Sequence, residues 1–162
     1  MPAYPRHLRD FPYTGFHRYF LTFCTYRRAT HFTTEAAVSL AASEFQHAAE
    51  REELAILAYC FMPDHVHLLT HGVHADADLK RFVTRSKQCS GYRFAQTTGQ
   101  HLWQRYGFER VLRDDESTPA IIRYIVNNPV RAGLVRDPAD YPFWGSFTHT
   151  REALLEYIAR AG

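Results

Sequence analysis

Leu54-Ala55-Ile56-Leu57-Ala58-Tyr59-Cys60-Phe61-Met62-Pro63-Asp64-His65-Val66-His67-Leu68-Leu69-Thr70 holds two strand-length segments separated by a turn. Residues 54–61 form a continuous apolar run of strand length. Pro63 and Asp64 interrupt it, and both residue types suit turns. A second strand begins at His65. Side chains alternate along a strand, so His65 and His67 point to one face while Val66 and Leu68 point to the other, into a core.

The flanking sequence places elements on either side of this pair. Residues 17–26, HRYFLTFCTY, are aromatic and β-branched, with Tyr19, Leu21, Phe23 and Thr25 on one side, and predict a strand. Thr33 or Thr34 opens TTEAAVSLAASEFQHAAERE, whose composition predicts a helix. Downstream, Asp76 is the expected cap of a helix over about 77–96, with Leu79, Phe82 and Val83 on its apolar face and Gly99 as its latest end. A short strand is expected over 108–113. A helix follows over 117–128, with Ser117 or Thr118 as cap, Pro119 in the first turn and Pro129 at its end. The chain to Trp144 reads as loop, and 150–160 as a short helix. This order predicts an α+β fold: a ferredoxin-like α/β sandwich, an antiparallel sheet with packed helices. One domain is expected, with an arm at 1–15, a core over about 16–135 and a tail at 136–162.

Composition agrees with a single folded unit. The 162 residues are 46% hydrophobic and 22% charged, enough for a core without disulfide or metal staples. Cys24, Cys60 and Cys89 are widely spaced, which argues against a disulfide framework or a zinc knuckle. Residues 1–13 lack the apolar core of a signal peptide, and no run approaches the length of a membrane span. A reduced, cytoplasmic protein with no membrane partner is expected.

Charge is unevenly placed. Lys80, Arg81, Arg85, Lys87, Arg93, Arg105 and Arg110 fall within residues 79–110, where the only acidic residue is Glu109. Tyr92, Phe94, Trp103, Tyr106 and Phe108 interleave with them. Basic residues with available rings suit a single-stranded nucleic acid, which needs countercharge and offers bases to stack. The same pattern also suits a solvated basic helix face over core aromatics.

Two constellations carry possible chemistry. His65 and His67 on one strand face can hold one divalent ion through nitrogen. His71 and His74 follow closely but fall outside the strand pattern. Asp64 can ligate, orient an imidazole or simply form the turn. In Arg123-Tyr124-Ile125-Val126-Asn127-Asn128-Pro129-Val130-Arg131-Ala132-Gly133-Leu134-Val135, Tyr124 and Asn128 are i and i+4 on one helical face. Tyr124 suits a nucleophile if a cation or metal-polarised phosphate assists it. Asn128 can offer an amide oxygen. A core-edge tyrosine and a helix-ending asparagine fit the same residues.

FMPDHVHLL together with RYIVNNPVRAGLV resembles the small IS200-type transposases of the HUH superfamily, and more closely the REP-associated tyrosine transposases of bacteria. The resemblance covers most of the chain. It implies that His65 and His67 are metal ligands for Mg²⁺ or Mn²⁺ and that Tyr124 is the nucleophile. It places Asn128 where IS200-type relatives often carry a glutamine ligand, one methylene longer. It also implies a bacterial enzyme of the HUH nuclease fold that cleaves and rejoins single-stranded or hairpin DNA through a 5′-phosphotyrosine. Either a monomer, weakly favoured, or a homodimer fits. The alternatives are an inactive single-stranded DNA-binding protein and a metal-dependent hydrolase that uses water. Neutral imidazole ligands imply that activity falls below about pH 6.

Overall fold

The computed structural model describes residues 11–162, with Phe108 and Glu109 described by backbone alone. Five strands form one sheet: β1 (Arg18–Cys24), β2 (Leu54–Met62), β3 (His65–Gly72), β4 (Phe108–Val111) and β5 (Trp144–Gly145). Their order is β4-β1-β3-β2-β5, and every neighbouring pair is antiparallel. α1 (Glu35–Arg51) carries the chain from β1 to β2, and α2 (Leu79–Thr98) from β3 to β4. Each crossover skips one strand, which is the ferredoxin-like arrangement expected from the element order. β5 extends the sheet at the β2 edge. Three further helices follow β4: α3 (Thr118–Val126), α4 (Asn128–Arg131) and α5 (Arg151–Arg160). No helix among the described residues is long and apolar enough to cross a membrane.

Both sheet faces are covered. Tyr19, Leu21, Phe23, Val66 and Leu68 pack against Phe45 of α1 and Phe82 and Phe94 of α2. Phe20, Cys60, Met62 and Leu69 pack on the other face against Ile122 and Ile125 of α3, Trp144, and Leu154 and Ile158 of α5. The continuous apolar run of β2 follows from this double burial. A register irregularity between Ile56 and Ala58 exchanges its parity: Leu54 and Ile56 join the first core, and Ala58, Cys60 and Met62 the second.

Side-chain caps set the helix starts. Thr34 accepts from the Ala37 amide, Ser117 from Ala120 and Thr150 from Ala153. α2 is capped by Asp78, not by Asp76 as expected. Asp78 is bridged to Thr14 and its amide donates to Glu52 O, so the backbone stays extended until Leu79.

Three other segments differ from the expected pattern. The helix over 117–128 is interrupted at Asn127 and resumes as α4. Pro129 has no amide hydrogen and its ring crowds the carbonyl four residues back, which breaks the ladder without turning the chain away. The expected loop before Trp144 contains a 3-10 turn at Pro138–Asp140 and leads into β5. Of the expected arm, residues 1–10 lie outside the described residues, while Tyr13 is buried in the first core.

Candidate functional site

β3 places His65 and His67 on the sheet face that α3 covers. Their ring centroids are 4.8 Å apart. Each ring has its Nδ1 engaged, His65 with Asp64 Oδ1 at 2.7 Å and His67 with the Thr22 hydroxyl at 2.9 Å. A carboxylate only accepts, so His65 carries its proton on Nδ1 and its Nε2 lone pair is free. Asp64 is also held from the other side: Arg28 Nε donates to its Oδ2 at 2.9 Å. Arg28 reaches this position from a left-handed backbone, φ 57°, directly after Arg27 at φ 54°. Thr25 braces the turn, its hydroxyl lying within hydrogen-bond distance of both Ala29 O and Asp64 O.

Tyr124 projects from α3 toward the same face. Its ring centroid lies 6.1 Å from that of His67 and 5.9 Å from Phe20. Phe20 in turn stacks on His67 at 5.3 Å. Tyr124 is 48% exposed, whereas Ile122, Ile125 and Val126 are buried. α3 is anchored at both ends. Arg18 of β1 donates to Thr118 Oγ1 at 2.6 Å and to Glu116 O at 2.7 Å. Arg123 donates to Ile158 O of α5. Two turns after Tyr124, the Arg131 guanidinium lies over its ring, 3.8 Å from the centroid.

Burial, more than any neighbour, lowers the His67 pKa, to about 3; the charges of His65, Arg131 and Arg28 act in the same direction. His65 is also lowered, by burial first, with Asp64 opposing. Burial raises Asp64, but its hydrogen bond to His65 and the charge of Arg28 outweigh that and leave its pKa below the usual value. Burial therefore keeps the His67 imidazole neutral well below pH 6 and biases His65 in the same direction.

Donor chemistry suits a divalent cation. Two neutral imidazoles converge on one face, with their Nδ1 atoms already occupied. Asn128 at the start of α4 has its amide nitrogen buried without a hydrogen-bond partner among the described residues. A half-turn of the amide exchanges nitrogen and oxygen, so this position can present a carbonyl oxygen. No group of three or more His, Cys, Asp and Glu side chains able to hold a metal occurs among the described residues. His74 lies at the other end of β3, 3.1 Å from Glu53.

The basic stretch is divided. α2 packs on the opposite sheet face from His65, His67 and Tyr124. Arg85 pairs with Glu52 at 3.1 Å and Arg93 with Glu44 at 2.6 Å. Lys87 donates to Gln104 O at 2.8 Å, and Lys80 lies over the Tyr13 ring. Arg81 is largely exposed, 3.9 Å from Asp78, and Arg105 lies over the exposed Tyr106 ring. Arg110 stands opposite Phe20 in the β1–β4 ladder, hence on the histidine face, where it pairs with Glu116. Sequence reading did not single out Thr22, Phe20, Arg28 or Arg131. The alternation of β1 marks Phe20 and Thr22 as sharing a face, and the spacing of Arg131 puts it near Tyr124 in a helix. Nothing local links Arg28 to Asp64.

The family model described as "Transposase IS200 like" matches residues 15–128, from before β1 through the histidine pair and Tyr124 to Asn128. The chain belongs to the IS200-like transposase family, within the HUH superfamily. This IS200-like chain is 30% identical over 146 residues to a Haemophilus influenzae protein named as a REP-associated tyrosine transposase, covering 83% of this chain and 81% of that one. Its fold is similar to a solved REP-associated tyrosine transposase bound to a REP hairpin, with a TM-score of 0.69 and 23% identity over 89% of this chain and 82% of the other. A crystal structure from Deinococcus radiodurans, described as that of a transposase, gives a TM-score of 0.51 and 26% identity over 74% and 94% of the two chains.

Proposed function

We propose that this IS200-like transposase is a metal-dependent single-stranded DNA endonuclease and strand transferase that acts at hairpin-forming repeats. The supporting observation is the half-exposed Tyr124 ring, 6.1 Å from the buried, neutral His67 and on the same face as His65. The similarity to a REP-associated transposase bound to a REP hairpin supports the choice of substrate.

His65, His67 and Asn128 would hold Mg²⁺ or Mn²⁺, which supplies a Lewis acid to a phosphate oxygen. Asp64 and Thr22 hold the two imidazoles in place. Tyr124 Oη attacks phosphorus in line and gives up its proton to solvent. A new tyrosyl P–O bond forms, the bond to the 3′ oxygen breaks, and the products are a 5′-phosphotyrosine and a free 3′-OH. The retained phosphodiester energy lets a later 3′-OH reverse the attack and rejoin strands. Arg81, exposed and only loosely opposed to Asp78 at 3.9 Å, and Arg105, over the exposed Tyr106 ring, are the members of the basic stretch freest to contact the DNA backbone. Arg85, Arg93 and Arg110 would first have to leave carboxylate partners, and Lys80 and Lys87 their present contacts.

Incubation with a labelled single-stranded hairpin and Mn²⁺, followed by denaturing electrophoresis and peptide mapping, tests this reading. A covalent adduct at Tyr124, lost in Tyr124→Phe and in chelator, is expected. Cleavage without an adduct would make water the nucleophile. Binding without cleavage would leave a DNA-binding protein.

A further inference from the structure

Tyr124 is mounted on an exposed helix face, where a ring is free to change rotamer unless neighbours restrain it. Two side chains do so. Phe20 meets the ring edge-on, with centroids 5.9 Å apart and planes at 75°. Arg131 covers it at 3.8 Å. The guanidinium is planar and delocalised, so it can lie against a ring over its whole area, which an ammonium cannot do.

Arg131 itself has a firm base. Pro129, at the start of α4, is buried. At the other end, Gly133 has φ +75° and its amide donates to Val130 O at 3.0 Å, while the Leu134 amide donates to Pro129 O at 2.9 Å. These two bonds are the 5→2 and 6→1 pair of a Schellman motif. The single turn of α4 is thus closed at both ends, and the Arg131 backbone is fixed relative to α3. Arg131 also differs from Arg28, Arg85, Arg93 and Arg110. Those are paired with carboxylates, whereas Arg131 forms no carboxylate ion pair among the described residues. Its charge is left uncompensated beside the ring.

We infer that Arg131 is a positioning residue: it clamps the Tyr124 ring against Phe20 so that the hydroxyl is directed at phosphorus, and it adds an unneutralised positive charge where the phosphate must sit. This rests on the reading of Tyr124 as nucleophile. Asn127 stays in the right-handed helical region and the Arg131 amide donates to Asn127 O at 3.0 Å, so the seven-residue spacing carries Arg131 over the ring despite the break. Misdirection of a nucleophile by about 1 Å can cost on the order of a hundredfold in rate. Substrate binding should depend less on this contact, because many phosphate contacts share it.

The test compares Arg131→Gln and Arg131→Lys with the unaltered protein on the labelled hairpin with Mn²⁺, measuring kcat and KM for adduct formation. Arg131→Gln is expected to lose about a hundredfold in kcat, with KM within about fivefold. Arg131→Lys keeps the charge but not the planar contact and should remain impaired by about tenfold. Arg131 is exposed, so both variants should keep the parent's unfolding midpoint. Unchanged kcat in Arg131→Gln, with the adduct still on Tyr124, would overturn the clamp and leave the tyrosine mechanism standing. Full activity in Arg131→Lys would also overturn it. An unaltered protein that cleaves without a Tyr124 adduct would overturn both readings.

Discussion

Thr22 and His67 stand directly opposite each other in the β1–β3 ladder, and the Thr22 hydroxyl lies 2.9 Å from His67 Nδ1. Opposed residues in an antiparallel pair share a face, so the hydroxyl can fix the imidazole by a short contact across the sheet. Thr22→Val keeps the shape and removes this bond. The fold should survive, and Mn²⁺ affinity measured by calorimetry should fall about 10- to 100-fold, the usual cost of losing a ligand's hydrogen-bond partner. Unchanged affinity would show that the hydroxyl does not orient the ring for metal.

His67 should make stability depend on pH. In the unfolded chain its imidazole titrates near 6.5, and in the fold burial holds it to about 3. Between these values the unfolded chain binds a proton that the folded chain does not. The contribution is therefore complete above about pH 6.5 and is lost as pH falls toward 3. Urea melts between pH 7 and 4 should show a slope of at most about 1.4 kcal/mol per pH unit from this residue. His67→Phe should remove that share. Equal slopes in the two proteins would mean that the folded ring takes up protons as readily as the unfolded one.

Neutralising basic residues should separate stability from DNA binding. Arg85→Ala leaves Glu52, only 8% exposed, without its partner. It should cost about 1–3 kcal/mol of stability in chemical denaturation and change hairpin affinity little. Arg81→Gln with Arg105→Gln should leave stability unchanged. That pair should weaken binding to all sequences and lower the salt slope by about one per lost phosphate contact. The reverse pattern would put the DNA along the Arg85 side of α2.

The segment after α4 should be required for folding. Tyr141 donates to Phe61 O and Trp144 Nε1 to Pro138 O, and both side chains are buried in the core beneath α3. Trp144→Ala should cost about 3–5 kcal/mol in urea melts, within the range for emptying a buried aromatic site. A loss under about 1 kcal/mol would show that the second core tolerates an empty space there.

Much of this molecule was legible one segment at a time. The alternation of His65-Val66-His67-Leu68, the capping pairs Thr33/Thr34 and Ser117/Thr118, of which Thr34 and Ser117 cap, and the order of strands and helices depend on contacts between near neighbours. They led to the ferredoxin-like sheet and the shared face of the histidines. The cap of α2 was misplaced by two residues because Asp76 and Asp78 are equivalent locally, and only the bridge from Thr14 and the bond to Glu52 O distinguish them. Pro129 reads as a stop, yet the chain resumes helical geometry under the packing of the second core.

What the sequence by itself determined is therefore periodic: which residues alternate, which share a helical face, where an amide can be capped. Backbone sterics and side-chain direction act over a few residues and leave their mark in any short window. Tertiary structure alone decided that α2 packs away from the histidines, that Arg28 joins Asp64 and that Thr22 meets His67. Most of these contacts join residues from separate elements. Their geometry depends on strand order and on the faces that the crossovers cover, and neither is encoded in the period of any one segment.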